Sequence, residues 1–172
     1  GLADVAVGAP GAVAQKGRVV LLSGKDGSVL RTFDGENAGD RFGEDIALAK
    51  GSEARAALVI GAPRHDGVGA DSGRAYVVPL PGAAPVRHID GERAGDQLGV
   101  SVAATVAGGT RRLAVAAVNA GRSPQRGGRI TAYDLDTLAE CFRFDARPTS
   151  GNLGWFLAFV GDLDGDGSRD LY

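Results

Sequence analysis

The chain has 172 residues, of which 28 are Gly and 7 are Pro; Phe, Trp and Tyr make up 6% and apolar residues 44%. These figures exclude a disordered tail or a flexible linker, and glycine at about twice its ordinary frequency, without a G-X-Y period, predicts tight turns between short strands: an all-β chain. With 19 basic against 21 acidic residues, a net charge of -2 and no basic block, nucleic acid is not expected as a partner, and no apolar run approaches the ~20 residues of a membrane-spanning helix.

In chain order, the first landmarks are Asp4 ahead of an apolar run from Val5, then Gly8-Ala9-Pro10, then Gly17-Arg18-Val19-Val20. The phrase Asp34-Gly-Glu-Asn-Ala-Gly-Asp40 leads into Phe42-Gly43. Short β-prone runs follow at Ile46-Ala47-Leu48, Ala57-Leu58-Val59-Ile60, Ala75-Tyr76-Val77-Val78 and Val86-Arg87-His88-Ile89, each bounded by Gly, Pro or Asp. The series then starts again. Gly17-Arg18 recurs as Gly73-Arg74 and Gly128-Arg129, at steps of 56 and 55 residues. Gly8-Ala9-Pro10 returns as Gly61-Ala62-Pro63 and, degraded, as Ala116-Ala117-Val118. Phe42-Gly43 returns as Leu98-Gly99 and Leu153-Gly154, and the Asp34 phrase as Asp90-Gly-Glu-Arg-Ala-Gly-Asp96. Self-similarity at this period, with four strands per unit, predicts small antiparallel sheets of propeller-blade size. A β-sandwich would give irregular strand spacing and no such self-match. The units run approximately 1–41 (partial), 42–97, 98–152 and 153–172 (partial), one repeating β domain over 1–172.

Phe42-Gly43, Gly61-Ala62-Pro63 and Gly73-Arg74-Ala75-Tyr76-Val77-Val78, repeated in phase, resemble the FG-GAP repeat of integrin α-subunit propellers and of bacterial secreted or surface proteins. The resemblance implies blades of a seven-bladed propeller, calcium in some blade loops, ligands on one face and an extracellular or cell-surface setting. Three units would leave two open sheet edges. Further blades, or copies of the chain, are expected to cover them. The lack of Met and the opening on Gly1 in mid-pattern point to a piece of a longer product.

The sharpest chemical signal is Asp162-Leu-Asp164-Gly-Asp166-Gly-Ser168-Arg-Asp170, which follows the D-x-D-x-D-G pattern of calcium loops. Carboxylates at positions 1, 3 and 5 converge on one cation, Gly167 makes the turn at position 6, Ser168 offers a backbone carbonyl and Asp170 completes the set. The repeat context favours a hairpin loop over a helical EF-hand, with Leu171 and Tyr172 starting a strand as Val5 does after Asp4. Asp4 reads as the last ligand of a second, partial site. The sister stretches 50–56 and 106–111 lack the carboxylates and are expected to be metal-free.

No convergent catalytic set is present, so a non-catalytic module binding a protein or glycan is expected; an accessory or loop-based catalytic propeller of a secreted hydrolase or lyase is the alternative. Asp40 and Asp96, in matching phase, suit turn capping. His65, with Asp66, Asp71 and Ser72 in one loop, has the residue types of a hydrolytic triad but no nucleophile elbow. His88 aligns with Thr32 and Arg143, a polar strand position. Cys141 aligns with the apolar Leu30 and Val86 and is expected to be buried, as are Trp155 and Phe156 in the last unit. Arg111, Arg112, Arg122, Arg126 and Arg129 make the third unit locally basic, a patch that suits either an acidic ligand or solvent.

Overall fold

The structure is a computed structural model, and it describes residues 2–50, 55–80, 85–107, 109–120, 127–146 and 153–172. The period-55 units appear as three antiparallel meanders. The first is β1 (Val5–Ala9), β2 (Arg18–Leu22) and β3 (Val29–Asp34). The second is β4 (Ile46–Ala49), β5 (Ala57–Ala62), β6 (Arg74–Pro79) and β7 (Arg87–Asp90). The third is β8 (Leu98–Ala107), β9 (Thr110–Ala117), β10 (Arg129–Asp134) and β11 (Glu140–Asp145). These are propeller blades, with the four runs of the second unit at the expected strand positions. In the fourth unit Phe159 and Leu171 form an antiparallel bridge, so Leu171 does enter a strand pairing after the acidic loop.

The blades pack face to face, which explains the burial along each strand. Every residue of β5 is buried, because an inner strand of a middle blade has a neighbour on both faces. Leu58 and Ile60 turn towards the first blade, where they meet Val19, Phe42, Tyr76 and Val78. Ala57 and Val59 turn towards the third and pack with Val102, Leu113, Val115 and Leu135. Outermost strands behave oppositely, and β11 is exposed throughout. Cys141 is therefore exposed, not buried as its alignment suggested; its counterparts Leu30 and Val86 are solvent-facing too, at 47% and 50%. Trp155 and Phe156 also depart from the core reading, being 62% and 70% exposed. The side chain that turns inward there is Leu157, packed with Ala103, Ala114 and Ala116.

The recurring glycines mark where one blade's backbone meets the next. A Cβ on Gly61 would lie 1.9 Å from the Gly99 carbonyl oxygen, and one on Gly8 2.3 Å from that of Gly43. Gly-Ala-Pro and Phe-Gly are thus the two sides of one close approach. In the degraded third unit Ala116 supplies a methyl against Gly154 instead.

Polar clamps join the blades at each junction. Arg18 pairs with Asp34, Arg74 with Asp90 and Arg129 with Asp145, each within one blade. Arg74 also reaches back to Glu36 of the first blade at 3.2 Å, and Arg129 to Glu92 of the second at 2.5 Å. So in Asp34-Gly-Glu and Asp90-Gly-Glu the Asp holds its own blade's arginine and the Glu holds the next blade's. Burial alone would push Glu92 up, but hydrogen bonds from Arg129 and Arg143 outweigh it and hold the carboxyl below the usual range. A second relay crosses nearer the core: Asp45 accepts the Val102 amide and the Ser101 hydroxyl, both at 2.8 Å, and Ser101 Oγ in turn accepts the Leu157 amide at 3.0 Å.

Candidate metal centre

In these meanders the β4–β5 and β6–β7 turns lie at one end, here called lower, and the β5–β6 and β7–β8 connections at the other, called upper. The acidic loop occupies the place of the β4–β5 and β8–β9 turns, at the lower end. Carboxylate oxygens of Asp162, Asp164 and Asp166 lie within 4.8 Å of one another, the one such group of potential metal ligands among the described residues. Two oxygens on a single calcium ion, each 2.3–2.6 Å from it, stand at most about 5.2 Å apart. The spacing fits a hard divalent cation with oxygen ligands.

The loop's own amides set this arrangement. Asp162 Oδ1 accepts the amides of Gly165 (2.7 Å) and Asp166 (3.1 Å), and Oδ2 accepts that of Gly167 (2.8 Å). Asp166 Oδ1 accepts the Ser168 amide at 2.7 Å. Gly165 and Gly167 take φ of +82° and +85°, the left-handed turns that point these amides inward. The Gly167 amide, helped by those of Gly165 and Asp166 and opposed by desolvation, holds the Asp162 carboxyl below its ordinary value. A carboxylate has about four lone-pair sites, so these bonds leave acceptor capacity for a metal.

Of the five ligands expected, three converge. Ser168 lies on the same loop, while Asp170 stands outside the three-way group; its Oδ2 accepts the Leu163 amide at 2.7 Å and ties the loop's ends together. Asp4 accepts the Gly24 amide at 3.0 Å and so anchors the β2–β3 turn.

The upper end carries the His65 loop. His65 Nδ1 lies 2.9 Å from Asp40 Oδ2, with both side chains about 95% buried. The same oxygen accepts the Asn37 amide, as Asp96 Oδ2 accepts that of Arg93, so both aspartates cap turns as their phase predicts. Ser72 Oγ donates to the His65 carbonyl, not to its ring, and Asp66 accepts the Asp71 amide. The residue types of a triad are present without the relay between them. His88 is exposed on β7, as expected from its alignment.

The basic residues of the third unit separate. Arg111 is buried and spent on Asp136 and the Arg55 carbonyl, and Arg129 belongs to the clamp; Arg122 and Arg126 lie outside the described residues. The clamp residues carry no functional assignment from the sequence, although the recurrence of Gly-Arg and Asp-Gly-Glu is the signal by which they could have been found.

Antiparallel blades packed on a common glycine contact define a β-propeller module. Residues 32–78, from the end of the first blade through most of the second, match the family model described as FG-GAP repeat. The chain thus carries an FG-GAP repeat, and its third blade keeps the arginine clamp while Ala116 replaces the glycine of the close backbone contact. None of the curated proteins matches the chain.

Proposed function

We propose that the chain is a non-catalytic, calcium-stabilised FG-GAP propeller module of an extracellular or cell-surface protein, binding a protein or glycan partner through loops at one end of its blades. One observation carries the metal half: the Asp162, Asp164 and Asp166 carboxylates brought within a single cation's coordination distance. Asp162, Asp164 and Asp166 would hold the ion, with the Ser168 carbonyl and Asp170 as the further ligands that the loop pattern supplies. Bound calcium would replace the repulsion of clustered carboxylates by coordination and fix the lower end of the fourth unit. The binding half rests on the FG-GAP match.

Thermal melts in a calcium titration test the reading. A ligand that binds only the folded state adds about 2.7 kcal/mol at a hundredfold excess over its dissociation constant. A rise in Tm is expected, with magnesium less effective and Asp164→Asn removing most of it. An unchanged Tm across the titration would sink the metal assignment.

A further inference from the structure

Beside the acidic loop, between the β8–β9 hairpin and Gly167–Arg169, lies a cleft of about 150 Å³. Thr105, Thr110, Arg112, Ser168 and Arg169 line it. Neither Arg112 nor Arg169 has a side-chain hydrogen bond or ion pair among the described residues, whereas Arg18, Arg74, Arg111, Arg129 and Arg143 are each committed to carboxylates. The register makes the contrast sharper. Asp134 stands directly across the ladder from Arg112, yet its carboxylate is turned to its own β-turn, accepting the amides of Asp136 and Thr137 and the Thr137 hydroxyl. Arg111, one residue earlier and on the opposite face of β9, takes Asp136. Arg112 is therefore left facing the cleft, half-buried, with no carboxylate partner among the described residues.

We propose that this cleft binds an oxyanion group, sulfate or phosphate in kind, as a free ion or as an ester carried on a larger ligand. Guanidinium forks match tetrahedral oxyanions bidentately, and the three hydroxyls can each turn a proton towards the remaining oxygens. Two guanidinium groups on the walls repel a cation. This deepens the binding-module reading by naming the chemistry of one ligand group, and it rests on that reading only for biological purpose. The cleft's lining includes none of Asp162, Asp164 and Asp166. Ser168 and Arg169 belong to the acidic loop, so a divalent cation there lowers the negative potential beside the cleft and strengthens anion binding, with the reciprocal effect on the cation.

The test is an NMR titration of the whole chain with sodium sulfate and with glucose 6-sulfate, against sodium chloride of equal ionic strength, once with chelator and once with calcium. Saturable shifts are expected at Thr105, Thr110, Arg112, Ser168 and Arg169. Arg112→Gln and Arg169→Gln should each weaken binding about tenfold, as for loss of one charge-assisted hydrogen-bonding group, with Tm unchanged. Tighter binding of the sugar ester assigns a carried group, and tighter binding of inorganic sulfate a free ion. Shifts matched by chloride in both arms, or variants that bind like the parent, would overturn the proposal. The calcium arm read by Tm is separate, so a cation site that fails while sulfate still saturates removes the metal reading and leaves the cleft.

Discussion

The junction between the first and second blades and that between the second and third use the same frame with different filling. Both have a parallel bridge from the Gly of Gly-Arg, Gly17 to Phe42 and Gly73 to Leu98, and both have an arginine clamp to the preceding blade's Glu. At the first junction the space is taken by aromatic rings, Phe42 against Tyr76 edge to face at 5.2 Å, with His65 behind them at 6.4 Å. At the second, Leu98, Ala120 and Thr131 hold the corresponding positions, and a larger aliphatic cluster closes the interface. The aromatic version leaves a cleft of about 270 Å³ beside Phe33, Glu36 and Val86, and it buries the Tyr76 hydroxyl with no hydrogen-bond partner among the described residues. Burial pushes that phenol's pKa up, with Glu36 adding to the effect. Backbone approach and clamp define the junction; the filling between them varies freely in shape.

The largest test strikes the shared frame. Gly17 and Gly73 have φ of +86° and +82°, and a Cβ would lie 2.0 Å and 2.2 Å from the Phe42 and Leu98 carbonyl oxygens. Gly17→Ala and Gly73→Ala should each cost on the order of 3–5 kcal/mol, a left-handed residue plus a backbone clash. At roughly 2–4 °C per kcal/mol, melting should fall by about 10 °C or more for both. A large gap between the two would break the equivalence of the junctions.

The clamps should separate the junctions modestly. Arg74→Gln removes the one ion pair of Glu36 among the described residues, while after Arg129→Gln Glu92 keeps Arg143 at 2.8 Å. The arginines are largely buried and their partners half-exposed, so losses of about 1–3 kcal/mol are expected from denaturant unfolding, with Arg74→Gln the larger. Equal losses would mean that Arg143 contributes nothing at the second junction. The pH dependence follows from the lowered pKa of Glu92: its contribution is complete above the unfolded value of 4.5 and fades as pH falls through the depressed folded value. Smallest is Tyr76→Phe. Removing an unpartnered buried hydroxyl should leave stability unchanged or raise it by a few tenths of a kcal/mol. A loss above about 1 kcal/mol would show that the hydroxyl has a partner, such as an ordered water in the cleft.

Much of the fold was legible because its determinants are local or repeat in phase. Gly17, Gly73 and Gly128 announce turns by type, and the runs at 57–60 and 75–78 announce strands. The acidic loop was legible for the same reason: its ligands sit two residues apart, so their convergence needs only one turn. What stayed hidden depends on which strand lies outside. Cys141 has an apolar alignment, but β11 is an edge strand, and alignment cannot tell an edge from a centre. Trp155 and Phe156 look like core by chemistry, yet the inward direction falls to Leu157. The clamps were visible as recurrences without partners, since Arg74 and Glu36 are 38 residues apart and meet only when blades stack. The cleft is hidden in composition because it arises only where Arg111 takes Asp136 and Arg112, on the opposite face of β9, is left to the cleft wall.

The placement of Glu36 and Glu92 has a further consequence. The second blade offers Arg74 to the one before and Glu92 to the one after, so it has a distinct front and back. A chain of such units has a direction, like couplings on railway wagons. After Asp145 the coupling residue is absent: the phrase reads Asp145-Ala146-Arg147 where its sisters read Asp-Gly-Glu. The unit that follows the third blade keeps the inner relay, with Ser101 accepting the Leu157 amide as Asp45 accepts that of Val102. At that junction the sequence places no glutamate to face forward, so the directional coupling runs only from the first blade to the third.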